Sequence, residues 1–158
     1  MPHVELDAIY WGPNWTPRPA SEARVLLDPA LAQESWVVDG NPGRPLAEPI
    51  WDRADTVVWL DYSFARVMGQ LLIRTLTRSV TREALWEGNR ESLRMALFSR
   101  DSILLWCLRT YWKRRREYPQ RFADPRWSQL KVERFSSPGE AEAWMRGLVG
   151  PSFSLRPS

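Results

Sequence analysis

The sequence is poor in the residues that most often build metal centres and covalent cross-links. It holds one cysteine, Cys107, and one histidine, His3. A single cysteine excludes an internal disulfide framework and offers no cysteine-based metal cluster. With one histidine, a zinc site would lack most of its usual ligands, and a Ser-His-Asp triad would have a single candidate base. Chemistry that depends on zinc, thiolates or histidine is therefore disfavoured.

Long apolar segments are missing as well. No run reaches the roughly 18 apolar residues of a membrane span, and no apolar signal-peptide core follows the first residues. We therefore expect a soluble, cytoplasmic protein with no membrane partner. The phosphate-loop pattern G-x-x-x-x-G-K-[ST] also occurs nowhere in the sequence, although the chain has strands of the kind that accompany it.

What the chain does contain suits one globular domain. Its 158 residues are 44% hydrophobic and carry a net charge of +3, which is enough apolar material for a core. We predict a single domain over residues 1–150 and a flexible tail over 151–158. All basic residues except Lys113 and Lys131 are arginines, whose planar guanidinium groups suit bidentate binding of phosphate. An arginine-rich solvated surface is the alternative interpretation.

Two apolar runs end in an aspartate. Trp36–Asp39 is followed at once by Gly40, and Asp55–Asp61 repeats the design. A buried parallel strand ends in this way when it delivers a carboxylate to a site at the carboxyl edge of a sheet. His3–Tyr10 and Leu130–Phe135 also alternate as strands do. Four strands separated by helical segments predict an α/β fold, with a three-layer parallel sheet flanked by helices.

The segments between the strands carry helical signals of differing strength. The strongest begins at Asp101 or Ser102, where apolar residues at helical spacing run into the basic segment 113–116. Further helices are expected over Ser21 to about Gln33, after Ser63, from Thr81, and over Glu140–Leu148. Asn41–Pro49 is rich in proline and glycine and predicts a loop.

Several motifs occur in a definite order along the chain. They are His3–Asp7 with Trp11–Pro17, Trp36–Asn41, Ala54–Asp61, Glu87–Glu91 and Ser99–Trp106. Together they resemble the part that follows the first helix in topology modulation proteins, bacterial P-loop kinases related to adenylate kinase and, more distantly, to shikimate kinase. The resemblance extends to about residue 148. It implies a P-loop NTPase-like fold of the nucleoside/shikimate kinase type, and ATP-dependent phosphoryl transfer to a small molecule or nucleotide.

The resemblance also implies roles for residues at the strand ends. Asp39 would hold Mg²⁺ through water or orient the acceptor, as a carboxylate fixed by a sheet can; a simple turn with Gly40 is the alternative. Asp7 would face the phosphoryl acceptor and bind a hydroxyl or act as base, or else cap the next element. Gly40, Ser136 and Ser137 would contact the nucleotide, the two serines at its adenine.

Arginines form the second group of candidates. Arg74, Arg78 and Arg82 are spaced i, i+4, i+8, so they share one face of a continuous helix, and Arg90 and Arg100 follow. In a kinase lid, here residues of about 74–100, such arginines close over the phosphates. The resemblance assigns Arg78, Arg90 and Arg100 to catalysis, and Arg74 and Arg82 to cofactor binding. A basic, solvated helix face is the alternative.

The resembling family begins with a strand, a phosphate loop and a helix, and this chain contains none of them. In the family that strand lies mid-sheet, between the strands that here are Trp36–Asp39 and Asp55–Asp61. Without it, two apolar strand edges would stay unpaired, at about 1–3 kcal/mol for each buried unpaired backbone group. We expect the chain to pair these strands directly or to recruit a partner chain, a second copy included. We also expect no phosphoryl transfer by this chain alone, since it lacks the backbone cradle and lysine for ATP phosphates.

Three functional hypotheses follow from these observations. The first is a P-loop kinase-like protein whose full product starts upstream and uses ATP and Mg²⁺ on a nucleotide or small-molecule acceptor. The second is a non-catalytic interaction protein that binds a partner through exposed apolar strands. The third, and least favoured, is a basic, aromatic-rich module that binds nucleic acid.

Overall fold

The protein has a mixed α/β architecture in which short strands alternate with helices. The computed structural model describes residues 1–41, 43–81, 85–89 and 102–149; the predicted tail over 151–158 lies outside them. In chain order the elements are β1 (His3–Glu5), α1 (Leu6–Tyr10), α2 (Ala20–Leu31), β2 (Val37–Asp39), α3 (Arg44–Trp51), β3 (Thr56–Leu60), α4 (Phe64–Thr81), α5 (Ile103–Phe122), β4 (Lys131–Phe135) and α6 (Pro138–Val149).

The strands form two separate parallel pairs. β1 pairs with β2 in the register His3 to Val37, and β3 pairs with β4 in the register Thr56 to Lys131. Parallel pairing is thus confirmed, but no ladder joins β2 to β3 within the described residues. The expected direct pairing of these two strands does not occur there.

The hydrogen bonds show which edge of each strand stays open. Lys131 N–H donates to the carbonyl of Asp55, and Asp61 N–H donates to that of Phe135. Backbone groups alternate in direction along a strand, so residues 55, 57, 59 and 61 face β4, while 56, 58 and 60 point to the other edge. Val37 N–H donates to the carbonyl of Pro2. By the same alternation, the backbone groups of Val38 point away from β1.

The first strand is shorter than its alternating pattern predicts. The prediction of a strand over His3–Tyr10 is wrong after Glu5, where α1 begins. Leu6 and Ile9 are both buried, and their spacing of three residues brings them to one side of a helix rather than to opposite faces of a strand. Asp7 therefore lies in the first turn of a helix.

The proline-rich segment after β2 is also helical. Asn41–Pro49 was expected to be a loop, but α3 covers Arg44–Trp51 with a proline in its first turn. Proline is well tolerated there because the first helical N–H groups have no partner within the helix. Burial of one apolar face stabilises this helix; its buried members are Leu46, Ala47, Ile50 and Trp51. Thr81 is the last residue of α4, and most of the helical segment predicted from Thr81 lies outside the described residues.

The long helix α5 begins where the sequence predicts. Ser102 is its N-cap, and its hydroxyl accepts a hydrogen bond from Leu104 N–H at 3.3 Å. Near the other end, the rings of Tyr118 and Phe122 pack on Trp51 and Trp59. Trp51 belongs to the core cluster that α1, α2 and α3 build.

Tyr118 links the two sheets. Its hydroxyl donates a hydrogen bond to the side chain of Asn41, just after β2, and its ring lies 6.0 Å from that of Trp59 on β3. One helix therefore contacts both β2's carboxyl end and β3. Within the described part of the chain, no helix has the length and apolar character needed to cross a bilayer.

Candidate functional site

Two of the predicted carboxylates come from neighbouring strand ends. Asp39 is the last residue of β2 and pairs in register with Glu5, the last residue of β1. Asp7 follows two residues later in α1. Because parallel strands end at the same edge, the two aspartates are held near one another.

Gly40 explains how Asp39 is held beside α1. Its φ angle is +131°, a conformation that L side chains rarely adopt, and a Cβ atom there would lie 2.9 Å from Cβ of Leu6. A larger residue would therefore push the turn away from the helix that carries Asp7. This close approach gives Gly40 a structural role; its predicted nucleotide contact stays a prediction.

Two arginines of α4 act on the carboxyl group of Asp7. Burial raises the pKa of Asp7, and the charges of Asp39 and Glu5 raise it further. The positive charges of Arg74 and, to a smaller extent, Arg78 lower the pKa of the same carboxyl group. Thus Asp7 and the three other residues that the sequence singled out, Asp39, Arg74 and Arg78, are linked by the charge effects on Asp7. We call these four residues the Asp–Arg site.

The side chain of Arg18 positions α1. The Nη1 atom of Arg18 donates to the carbonyl oxygens of Ala8, Ile9 and Trp11 at 2.9–3.0 Å, which satisfies the helix's C-terminal carbonyls. Its other guanidinium nitrogen pairs with Glu87 at 2.5 Å. These contacts hold the C-terminal end of α1, the helix whose first turn contains Asp7.

Asn89 joins the segment 85–89 to the loop that follows α1. Its buried side chain donates to the carbonyl of Gly12 at 2.9 Å and accepts from Trp15 N–H at 3.1 Å. Both segments belong to motifs that carried the resemblance, yet the sequence did not identify Asn89 or Arg18 as positioning residues. The only signal for Asn89 was its place inside Glu87–Glu91, and Arg18 lies just after Trp11–Pro17.

Ser136 and Ser137 form the cap of α6. Ser136 N–H and its hydroxyl bond the carboxylate of Glu140 at 2.8–3.0 Å. The Ser137 hydroxyl accepts from Glu140 N–H at 3.3 Å. This reciprocal arrangement satisfies helix-terminal donors, so both hydroxyls have structural partners, and the predicted adenine contact stays a prediction. The other predicted residues, Arg82, Arg90 and Arg100, lie outside the described residues.

The second strand-end aspartate takes no part in the Asp–Arg site. Asp61 is buried, with a side chain only 4% exposed, and accepts from Nε of Arg134 at 2.9 Å. Its other oxygen lies 3.0 Å from Nε of Arg115. Both carboxylate oxygens thus have an arginine partner, and Asp61 joins β3 to β4 and α5.

The basic run 113–116 has an unexpected member. Arg114 lies 4.3 Å from the ring centroid of Trp106, and its Nη1 atom is buried without a hydrogen-bond partner among the described residues. Desolvation lowers the pKa of this guanidinium. Sequence reasoning treated the run as a solvated helix end, because four adjacent basic residues give no sign that one turns inward.

The residues present fit the expected cofactors unequally. Mg²⁺ is commonly held by one or two carboxylates together with water and phosphate, which Asp7 and Asp39 can provide. No cluster of three or more potential metal ligands occurs in the described ranges. The triphosphate of ATP does not fit: Lys113 pairs with Glu117 and Lys131 with Glu133, and the sequence has no glycine-rich phosphate loop.

Comparison with known proteins does not assign this chain to a family. No protein-family model matches the chain, and neither a curated protein nor a solved structure matches it. The resemblance to topology modulation proteins therefore stays a prediction from the sequence motifs.

Proposed function

We propose that this chain provides the acceptor side of a P-loop kinase-like phosphotransferase, which moves a phosphoryl group from ATP to a small molecule or nucleotide. The observation that carries the proposal is the Asp–Arg site. Asp7 and Asp39 lie at the carboxyl end of a parallel strand pair, and the charges of Asp39, Arg74 and Arg78 all act on the Asp7 carboxyl group. Ligands of α/β proteins bind at this end of the strands.

Each residue of the site has a chemical role in this proposal. Asp7 accepts the proton of the acceptor hydroxyl, and its raised pKa brings it nearer to the working pH of a general base. Arg74 and Arg78 offset negative charge that develops on the group in transfer. Asp39 orients the acceptor or holds a water of Mg²⁺, which when bound would neutralise phosphate charge.

The strand edges that no described strand covers support the same proposal. Val38 on β2 and Thr56, Val58 and Leu60 on β3 direct backbone groups away from their ladders. β2 and β3 are consecutive strands linked through α3, and α5 contacts both. An additional parallel strand between them would pair both edges, and a phosphate loop at its carboxyl end would lie beside Asp39. No described residues supply that strand, and the sequence has no phosphate loop, so we infer that this chain is inactive by itself.

Calorimetry of ATP·Mg²⁺ binding tests this function. One sample is the 158-residue chain, and the other carries a strand–G-x-x-x-x-G-K-[ST]–helix segment joined ahead of Met1. We expect only the extended protein to bind, with loss of Mg²⁺-dependent binding in Asp39→Asn. Asp55→Asn is the matched control, because Asp55 is an exposed aspartate at the start of β3, in the other sheet.

Two outcomes would contradict the proposal. Equal binding by both proteins would mean that the phosphate loop is dispensable. Binding by neither would favour a second function, a non-catalytic interaction protein. That alternative draws on the open edges and on the exposed apolar side chains of Val58 and Leu60, which are 43% and 51% accessible.

A further inference from the structure

A cleft of about 280 Å³ lies between α4 and α5. Its lining residues recur at helical spacing on each helix, so each presents one face to the cleft. They are Val67, Gln70, Leu71 and Arg74 on α4, and Ile103, Trp106 and Cys107 on α5. The volume is close to the lower limit for small-molecule pockets, so the cleft suits a ligand built on one ring.

The chemistry of the lining is that of a binding pocket. The walls are mostly aliphatic or aromatic, and Trp106 is 44% exposed despite its size. The polar groups are Gln70 and Arg74, and neither has a hydrogen bond or ion pair with another described residue. By contrast, a cleft of about 300 Å³ beside α3 contains Arg126, which is already paired with Glu48 and Asp52.

Unpartnered buried polar atoms gather on the same two helices. In the described part of the chain they are Thr75 Oγ1, Ser79 Oγ and Arg114 Nη1, and all three belong to α4 or α5. Thr75 is only 2% exposed and lies one turn from Leu71 on α4. Buried polar groups are normally hydrogen-bonded, so unpartnered ones on two helices that pack together call for an explanation.

Arg114, one of these three residues, lies beside the cleft. Its guanidinium lies 4.3 Å from the ring centroid of Trp106, a wall of the cleft, and its charge acts on the thiol of Cys107, another wall. A guanidinium has five donors and no acceptor. An anion entering the cleft would therefore meet Arg74 and Gln70, and its charge would be favoured by Arg114.

We propose that the cleft between α4 and α5 binds a small organic oxyanion, a phosphate monoester or a carboxylate carried on an apolar ring. The ring packs against Trp106, Val67 and Leu71, and the oxyanion accepts hydrogen bonds from Arg74. The site goes beyond the proposed phosphotransfer, because binding requires neither ATP nor the aspartates. It shares Arg74 with the Asp–Arg site, so the two proposals need separate measurements.

Ligand-observed fluorine NMR on the full chain provides the first measurement. The probes are 4-fluorophenyl phosphate and 4-fluorobenzoate, with neutral 4-fluorobenzyl alcohol as the uncharged comparison. We expect at least one anionic probe to bind at least tenfold more tightly than the alcohol. Arg74→Gln should remove that preference, and Arg109→Gln, an exposed arginine of α5 outside the lining, should retain it. The two anions distinguish a phosphate site from a carboxylate site.

The position of the probe is read from Cys107, the only cysteine in the chain. A bound anionic probe should slow alkylation of Cys107 by N-ethylmaleimide at least threefold, measured by intact mass. Asp7→Asn disables the proposed transfer site and should not weaken probe binding. The proposal is overturned if no anionic probe binds at millimolar concentration, if Arg74→Gln binds as the wild type does, or if bound probe leaves the alkylation rate unchanged.

Discussion

At the scale of single residues, Asp7 is the group whose surroundings say most about the site. It is exposed as a residue, yet nearby protein and two further carboxylates raise its pKa, and two arginines oppose that rise. We expect carbon-detected NMR titration to give Asp7 a pKa above the usual value of about 3.9. Asp39→Asn should lower that pKa and Arg74→Gln should raise it. Asp55→Asn, in the other sheet, should leave it unchanged.

The same shift predicts how stability depends on pH. A raised pKa in the folded state favours the protonated carboxyl, so the stability it contributes is complete below the unfolded pKa and is lost as pH rises through the folded pKa. Asp7→Asn, which is always neutral, should therefore raise the melting temperature at pH 7. The gain should not exceed about 2–4 °C, since Asp7 is exposed, and it should vanish near pH 3. A lower melting temperature at pH 7 would contradict this electrostatic account.

Much of the site was predictable residue by residue, because it depends on local pattern. Asp39 ends an apolar run, and Arg74 and Arg78 share a helix face, so the sequence identifies them directly. Arg114 was not predictable, since its inward orientation depends on where α5 packs rather than on its neighbours in sequence. Asn89 was missed for a similar reason, as its partners Gly12 and Trp15 lie more than 70 residues away.

At the scale of secondary-structure elements, Asp61 joins three of them. It directly follows β3 and pairs with Arg134 of β4 and Arg115 of α5. Asp61→Asn should destabilise the protein by about 1–3 kcal/mol in urea unfolding. We expect a smaller loss of stability than the about 3–5 kcal/mol found when a fully buried ion pair is broken. Both arginines are about half exposed, so each is hydrated once its partner is removed.

A matched variant separates burial from charge in that experiment. Asp55→Asn removes an exposed carboxylate from the other end of the same strand and should change stability by no more than about 0.5 kcal/mol. If the two variants were equally stable, the ion cluster would contribute nothing to the joining of β3, β4 and α5.

The elements also show where local pattern fails. The long helices α4 and α5 were predicted well, since many turns repeat the same spacing. β1 and α1 were merged into one strand because eight residues of alternating type fit either period. α3 was missed because prolines suggest a loop, whereas Pro45 stands in the first turn and the buried face of Leu46, Ile50 and Trp51 stabilises the helix.

At the scale of the whole molecule, the two strand pairs are incomplete in the same way. Each has an edge that no described strand covers, and on β3 the phase of the ladder identifies the groups at that edge. Val57 and Trp59 face β4, while Val58 and Leu60 face the open side. Neighbouring amides of β3 therefore differ in whether they face the ladder with β4.

Native-state hydrogen exchange measures this difference directly. We expect the amides of Val58 and Leu60 to exchange at least tenfold faster than those of Val57 and Trp59, because only the latter open with the ladder. In the protein extended by a strand and phosphate loop, Val58 and Leu60 should become as protected as their neighbours. Equal protection of all four amides in the chain alone would mean that another strand already covers the edge. Loss of that protection on dilution would identify the covering strand as one from a second copy.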